Sequence, residues 1–158
     1  MDSWCKVLIV EDEYITRQGI QNMIDWNEEG FEIVGEAYNG KNAIDMVEKL
    51  RPHIVLTDIV MPVMDGIELG KVLRTKFPKI QVVVLSSYDN FGYVRDSFQS
   101  GAVDYILKPT LNPENLLKTM KQAASRIPGL TLQGRQNLSL ARSIEQLLSG
   151  FSKQEAKE

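Results

Sequence analysis

Five side chains suited to phosphoryl chemistry stand directly beyond four apolar runs. Lys6-Val7-Leu8-Ile9-Val10 leads into Glu11 and Asp12, and His53-Ile54-Val55-Leu56-Thr57 leads into Asp58. Ile80-Gln81-Val82-Val83-Val84-Leu85 leads into Ser86, and Val103-Asp104-Tyr105-Ile106-Leu107 leads into Lys108-Pro109. If the runs are parallel strands, their carboxyl ends gather three carboxylates, a hydroxyl and an ammonium at one sheet edge, where open α/β sheets place ligand sites. Clustered carboxylates repel one another, and a hard cation with oxygen ligands relieves that. Mg²⁺ suits such a set because it takes one or two carboxylates and keeps several waters. A bound cation screens and orients an incoming phosphoryl group, and an aspartate can attack it to form an aspartyl phosphate. Lys108 can neutralise phosphate oxygens as a point charge, and the Ser86 hydroxyl can donate to another. Each residue type is common; their joint placement after four separate strands is not.

The elements that must position these groups follow from the alternation of short apolar runs with longer amphipathic stretches over the first 126 residues, the pattern of stacked βαβ units. Ile15, Ile20, Met23 and Ile24 are read as a first helical stripe, Val34-Gly35-Glu36-Ala37 as a weaker second strand, and Ala43, Ile44, Val47 and Leu50 as a second helix ended by Pro52. Ile67 to Phe77 reads as a third helix and Phe91 to Gln99 as a fourth, stopped by Gly101. Leu116, Leu117, Met120, Ala123 and Ala124 mark a fifth, with Pro113 in its first turn. Continuous Val/Ile/Leu runs are what strands covered on both faces require. The expected fold is therefore a flavodoxin-like, doubly wound α/β sheet of five parallel strands, order 2-1-3-4-5, with five helices. In that order the first and third strands are neighbours, so Asp12 and Asp58 end side by side.

Residues 127–158 are read as a linker or tail beginning near Ile127-Pro128-Gly129. There Leu140, Ile144, Leu147 and Phe151 suggest a short amphipathic helix, too short to be read as a coiled coil. It either packs on its own domain or frays, or it serves as a dimer-forming linker. A net charge of −3 gives no sign of a nucleic-acid or membrane surface. No apolar run approaches the ~18 residues of a membrane span, and the amino terminus does not read as a secretory signal. With Cys5 as the only cysteine, no intramolecular disulfide can form, and a cytoplasmic protein is expected.

Residues 6 to about 126 resemble the receiver domain of two-component response regulators. The resemblance rests on Leu8-Ile9-Val10-Glu11-Asp12-Glu13, on Thr57-Asp58-Ile59-Val60-Met61-Pro62 with Asp65-Gly66, on Ser86, and on Asp104-Tyr105-Ile106-Leu107-Lys108-Pro109. It implies that Asp58 is the phosphoacceptor, charged by a partner histidine kinase. It also implies that Asp12 binds Mg²⁺ directly, Glu11 acts through water, and the main-chain carbonyl of Val60 is a further ligand. Ser86 and Lys108 are implied to bind phosphoryl oxygens, Lys108-Pro109 to be a cis peptide, and Tyr105 to be an aromatic switch that turns inward as Ser86 moves. The surface biased by that switch is expected on helix 4, strand 5 and helix 5, where a homodimer could form. Ile24-Asp25-Trp26 and Ser86-Ser87-Tyr88-Asp89-Asn90-Phe91-Gly92-Tyr93 look like the subgroup fused to AraC-type helix-turn-helix domains. The chain itself carries no basic recognition helix, so no direct nucleic-acid binding is expected.

The chain departs from the family's usual pattern in having Glu11 for aspartate and Ser86 for threonine. Val60 and Tyr88 stand where hydrolysis is tuned, and neither can act as a strong base or orient a water through an amide. Slow self-dephosphorylation follows as an expectation, with a phosphoryl half-life of hours rather than seconds. Asp65 is read as a helix cap, Gly66 as relieving a turn, His53 as a solvated loop residue, and Trp4 and Trp26 as packing or interface anchors. The chain is expected to be a signalling module rather than an enzyme. Two alternatives carry different chemistry: an unphosphorylated interaction scaffold, and a metal-dependent phosphatase of the haloacid dehalogenase type. The latter needs a second acid two residues after its nucleophile, where Val60 stands.

Overall fold

The computed structural model describes residues 4–130 and 132. Strands β1 (Cys5–Val10), β2 (Phe31–Ala37), β3 (Ile54–Thr57), β4 (Gln81–Ser86) and β5 (Ala102–Leu107) alternate with helices α1 (Tyr14–Met23), α2 (Gly40–Leu50), α3 (Gly66–Lys76), α4 (Phe91–Gln99) and α5 (Pro113–Ser125). The sheet order is β2-β1-β3-β4-β5, and every adjacent pair is parallel, as the sequence predicts. Successive side chains of a strand point to opposite faces, which is why the strands are apolar throughout. Val7, Ile9, Ile54, Leu56, Val83 and Leu85 pack with Leu116, Met120 and Ala123 of α5 on one face. Leu8, Val10, Val55, Val82 and Val84 pack with Ala43, Val47, Leu69 and Leu73 of α2 and α3 on the other.

Polar side chains set the helix starts. Asn39, Asn90 and Asn112 cap α2, α4 and α5 by accepting from Asn42, Tyr93 and Asn115 N–H. Asp65 and Glu68 form a reciprocal capping box on α3. Pro113 occupies the first turn of α5, where its missing N–H costs nothing. Past the last turn of α5, Ile127, Leu130 and Leu132 pack against the α5-side core. The tail helix expected around Leu140, Ile144, Leu147 and Phe151 lies outside the described residues. No helix among the described residues is long and apolar enough to cross a membrane.

Several expectations are corrected. Strand β2 starts at Phe31 rather than Val34, and its register with β1 shifts between Val7 and Leu8, so that Ile33 and Gly35 are paired and Val34 is passed over. That bulge on an edge strand breaks the apolar alternation that marks a strand in sequence. Ile15 does not belong to the buried stripe of α1; it is 84% exposed, while Ile20 is buried. A five-residue step on a helix places the two about 140° apart. His53 is half-buried rather than solvated. Its Nδ1 accepts from Lys6 N–H at 2.9 Å, and its own N–H donates to the Lys6 carbonyl at 2.8 Å, which extends the β1–β3 ladder one step beyond Val7–Ile54. The peptide between Lys108 and Pro109 is trans, not cis. Pro109 sits inside a 3₁₀ turn over Lys108–Thr110, closed by Leu111 N–H on the Lys108 carbonyl at 3.0 Å, and proline's fixed φ suits that turn with a trans bond.

The loop between β3 and α3 must pass tightly over the phosphoacceptor candidate. Gly66 N–H donates to the Ile59 carbonyl at 2.8 Å, and a methyl group on Gly66 would collide with the main-chain carbonyl oxygen of Asp58. Gly66→Ala is expected to cost roughly 2 kcal/mol or more, because backbone rather than a flexible side chain must move. Urea unfolding checks this, and a variant as stable as the parent would show that the loop yields freely.

Candidate functional site

Strand register brings the acids together. Val10 pairs with Thr57, so the next residues on each strand, Glu11 and Asp58, stand level. The ladder continues past the strand ends: Glu11 N–H donates to the Ala37 carbonyl at 2.9 Å and Asp58 N–H to the Val10 carbonyl at 3.0 Å. Glu11 and Asp58 are buried and Asp12 is exposed at the mouth, yet one carboxylate oxygen from each lies within 4.8 Å of the others. Thus Asp12 and Asp58 do meet, but the residue level with Asp58 is Glu11. On the other side Ser86 pairs with Leu107, which sets Lys108 just beyond the end of β5.

The Lys108 ammonium joins the two buried acids. Its Nζ lies 2.8 Å from Glu11 Oε1 and 3.0 Å from Asp58 Oδ2. The other oxygen of each carboxylate is held by backbone: Asp58 Oδ1 accepts from Ile59 N–H at 2.7 Å and Glu11 Oε2 from Glu13 N–H at 3.2 Å. Burial pushes the Glu11 carboxyl up to about 7; the Lys108 hydrogen bond opposes this and the Asp58 charge adds to it. Burial pulls the Lys108 ammonium down, but its bonds to Glu11 and Asp58 more than offset this, and it ends above the ordinary 10.5. One cation thus holds two carboxylates that would otherwise repel.

The donor set suits a hard cation: three carboxylates, no sulfur and no imidazole. Val60 follows Asp58 by two residues, in the β3–α3 loop, with its side chain exposed.

Ser86 and Tyr105 are linked through a residue whose backbone role the sequence did not show. Ser86 is fully buried and its Oγ accepts from Tyr88 N–H at 3.1 Å. The Tyr105 hydroxyl donates to the carbonyl of the same Tyr88. Burial raises the Tyr105 phenol above its ordinary pKa, against a lowering by Ser86. Main-chain atoms carry no side-chain signature, so nothing in the sequence marks Tyr88 as this link. Arg17 was also missed: its Nη1 donates to the Glu11 carbonyl at 2.7 Å while its Nε pairs with Glu36 at 2.9 Å, fixing the turn after β1.

Residues 7–121 match the family model described as the response regulator receiver domain. The transcriptional regulatory protein YesN of Bacillus subtilis (strain 168) is 30% identical over 144 residues, which are 91% of this chain and 39% of that protein. The chemotaxis protein CheY of Listeria monocytogenes is 36% identical over 119 residues, 75% of this chain and 98% of that protein. Among solved structures, the REC domain of AraT, a response regulator from Geobacillus stearothermophilus, superposes with a TM-score of 0.69 at 39% identity, covering 77% of this chain and 92% of that one. The chain spans half or less of the length of YesN and of DegU from Brevibacillus brevis.

The raised Glu11 carboxyl gives stability a pH dependence of definite sign. A group whose folded pKa lies above its unfolded value contributes stability that is fully present below the unfolded value and lost as pH rises through the folded one. For Glu11 that window runs from 4.5 to about 7. In metal-free buffer, Glu11→Gln is expected to gain on the parent between pH 5 and pH 8 by at most about 3 kcal/mol, as judged by urea unfolding. Parallel pH profiles for parent and variant would contradict this.

Proposed function

We propose, for a chain that belongs to the family of response regulator receiver domains, that it accepts a phosphoryl group on Asp58 from a histidine kinase and passes the resulting charge change to an output surface. Receiver domains are signalling modules rather than enzymes acting on an external substrate, and the only chemistry proposed here is this chain's own phosphorylation and dephosphorylation. The observation that carries the reading is the Lys108 ammonium within hydrogen-bond reach of Asp58 and Glu11.

Asp58 Oδ2 already faces a cation, while Oδ1 is tied to Ile59 N–H, so the carboxylate is held in one orientation. Attack forms the P–O bond to Asp58 as the P–N bond to the kinase imidazole breaks, and the electron pair returns to the leaving ring. Lys108 can then turn from the carboxylate to a phosphoryl oxygen. Mg²⁺, held by Asp12, Asp58 and the Val60 carbonyl with Glu11 acting through water, would neutralise charge on the transferring group. Ser86 can offer its hydroxyl to another phosphoryl oxygen, which takes its Oγ away from Tyr88 N–H. The Tyr88 segment then keeps only its tie to Tyr105, and the inward turn proposed for Tyr105 carries the Tyr88 segment with it.

The surface that receives this change is proposed on α4, β5 and α5. Phe91 and Phe98, seven residues apart on α4, are 74% and 45% exposed, an apolar stripe that a second copy of the chain could cover. The 127–158 tail is proposed to act as a linker or a second dimer contact. An AraC-type DNA-binding output module is supported by the likeness to AraT and by 35% identity, at a TM-score of 0.66, to a two component transcriptional regulator AraC from Clostridium phytofermentans ISDg. The proposed role in transcription belongs to that module, and the proposed location is the cytoplasm.

Labelling by acetyl phosphate with Mg²⁺ tests the reading. The parent is expected to gain one phosphoryl group by intact mass and Asp58→Ala to gain none; equal labelling of the two would overturn the assignment. Val60 and Tyr88, both 44% exposed, offer neither a base nor an amide to the water that would attack the phosphoryl group. The purified phosphoprotein is therefore expected to persist for hours, and decay within seconds would refute that part.

A further inference from the structure

At the pole opposite Lys108, where β3 and β4 begin, a cavity of about 310 Å³ is lined by Arg51, Pro52, Lys76, Phe77, Pro78, Lys79 and Ile80. Its floor is apolar and its rim carries three cations. Among the described residues none of the three is in an ion pair, in a chain whose net charge is −3. The ordinary explanation for cations here is the helix ends, since α2 stops at Leu50 and α3 at Lys76. Two helix C-termini supply about half a negative charge each and the Arg51 guanidinium lies over the Phe77 ring, so Lys76 and Lys79 carry most of the positive charge that no acid matches.

The cavity is also built rather than incidental. Arg51 holds φ at 50°, a left-handed conformation unusual for a residue with a side chain, and is fixed there by its N–H on the Val47 carbonyl at 2.9 Å. That conformation carries the guanidinium to 5.2 Å from the centre of the Phe77 ring, with Nε on the Glu48 carbonyl at 3.2 Å. Pro52 and Pro78 have fixed φ, and Gln81 N–H on the His53 carbonyl at 2.9 Å joins the two strand leads behind them. The cavity is an open cleft, with Arg51, Lys76, Pro78 and Lys79 exposed, whose mainly apolar lining and few placed charges are features of small-molecule sites.

We propose that this cavity binds a small organic carboxylate with an aromatic or branched apolar body. The body would lie against Phe77 and Ile80 and the carboxylate would face Lys76, Lys79 and Arg51. The site is separate from the phosphorylation chemistry and does not rest on it. The volume of the cleft favours a compact ligand over an extended peptide.

The test is a titration of the ¹⁵N-labelled chain with 2-naphthoate and with its neutral analogue 2-naphthylmethanol, on the parent and on Lys76→Glu/Lys79→Glu. Both lysines are exposed, so the variant is expected to fold, and a ¹⁵N–¹H spectrum that matches the parent's away from residues 76–80 confirms that it has. The proposal predicts saturable shifts at Arg51, Phe77 and Ile80 with 2-naphthoate. It predicts binding weaker by about tenfold or more for the alcohol, and by a similar factor for 2-naphthoate on the variant. Equal binding of acid and alcohol, shifts centred elsewhere, no saturation, or undiminished binding by the folded variant would each overturn it.

Discussion

One ammonium group between two buried carboxylates is the constraint around which the molecule is arranged. Glu11 and Asp58 come from adjacent strands whose register makes them level, and without a cation between them two like charges would face each other in a poorly hydrated pocket. Removing one partner from a buried ion pair is costly because the remaining charge is stranded. Lys108 supplies the compensation from the far edge of the sheet, two strands from β3. It is therefore both a structural tie and the group best placed to meet an arriving phosphoryl oxygen.

The rest of the fold serves that placement. Parallel strands buried on both faces fix the register rigidly, because a one-residue slip would exchange the two core faces. Gly66 lets the β3–α3 loop cross the Asp58 carbonyl, and Arg17 ties the β1–α1 turn to β2 through Glu36. The β4–α4 loop is held through Tyr88, joined to Ser86 on one side and Tyr105 on the other. A charge arriving at Asp58 thus meets a stiff framework and one segment tied directly to the Ser86 and Tyr105 hydroxyls, an arrangement suited to turning a local event into a change of surface.

Most of the framework was legible in the sequence because it depends on side-chain chemistry repeated at fixed spacing. The strands ending at Val10, Thr57, Ser86 and Leu107, the strand order and the bounds of α4 all follow from apolar runs, caps and the Gly101 stop. What was not legible depends on backbone geometry or on packing around the elements. The start of β2 is hidden by a bulge at Val34, and Ile15 points outward because five residues do not close helical turns. His53 is engaged because its ring substitutes for a ladder partner. Lys108-Pro109 reads the same in sequence whether cis or trans, and the 3₁₀ turn decides it. Three acids could be seen to converge, but which of Glu11 and Asp12 abuts Asp58 required the register.

A double-mutant cycle between Lys108 and Asp58, using Lys108→Met, Asp58→Asn and the pair, tests the central tie most directly through the stability of the metal-free, unphosphorylated protein. The account predicts that losing Lys108 costs clearly less when Asp58 is already neutral, with a coupling of about 1–3 kcal/mol. Additive effects would mean that the ammonium and the carboxylate, although 3.0 Å apart, do not hold each other in place.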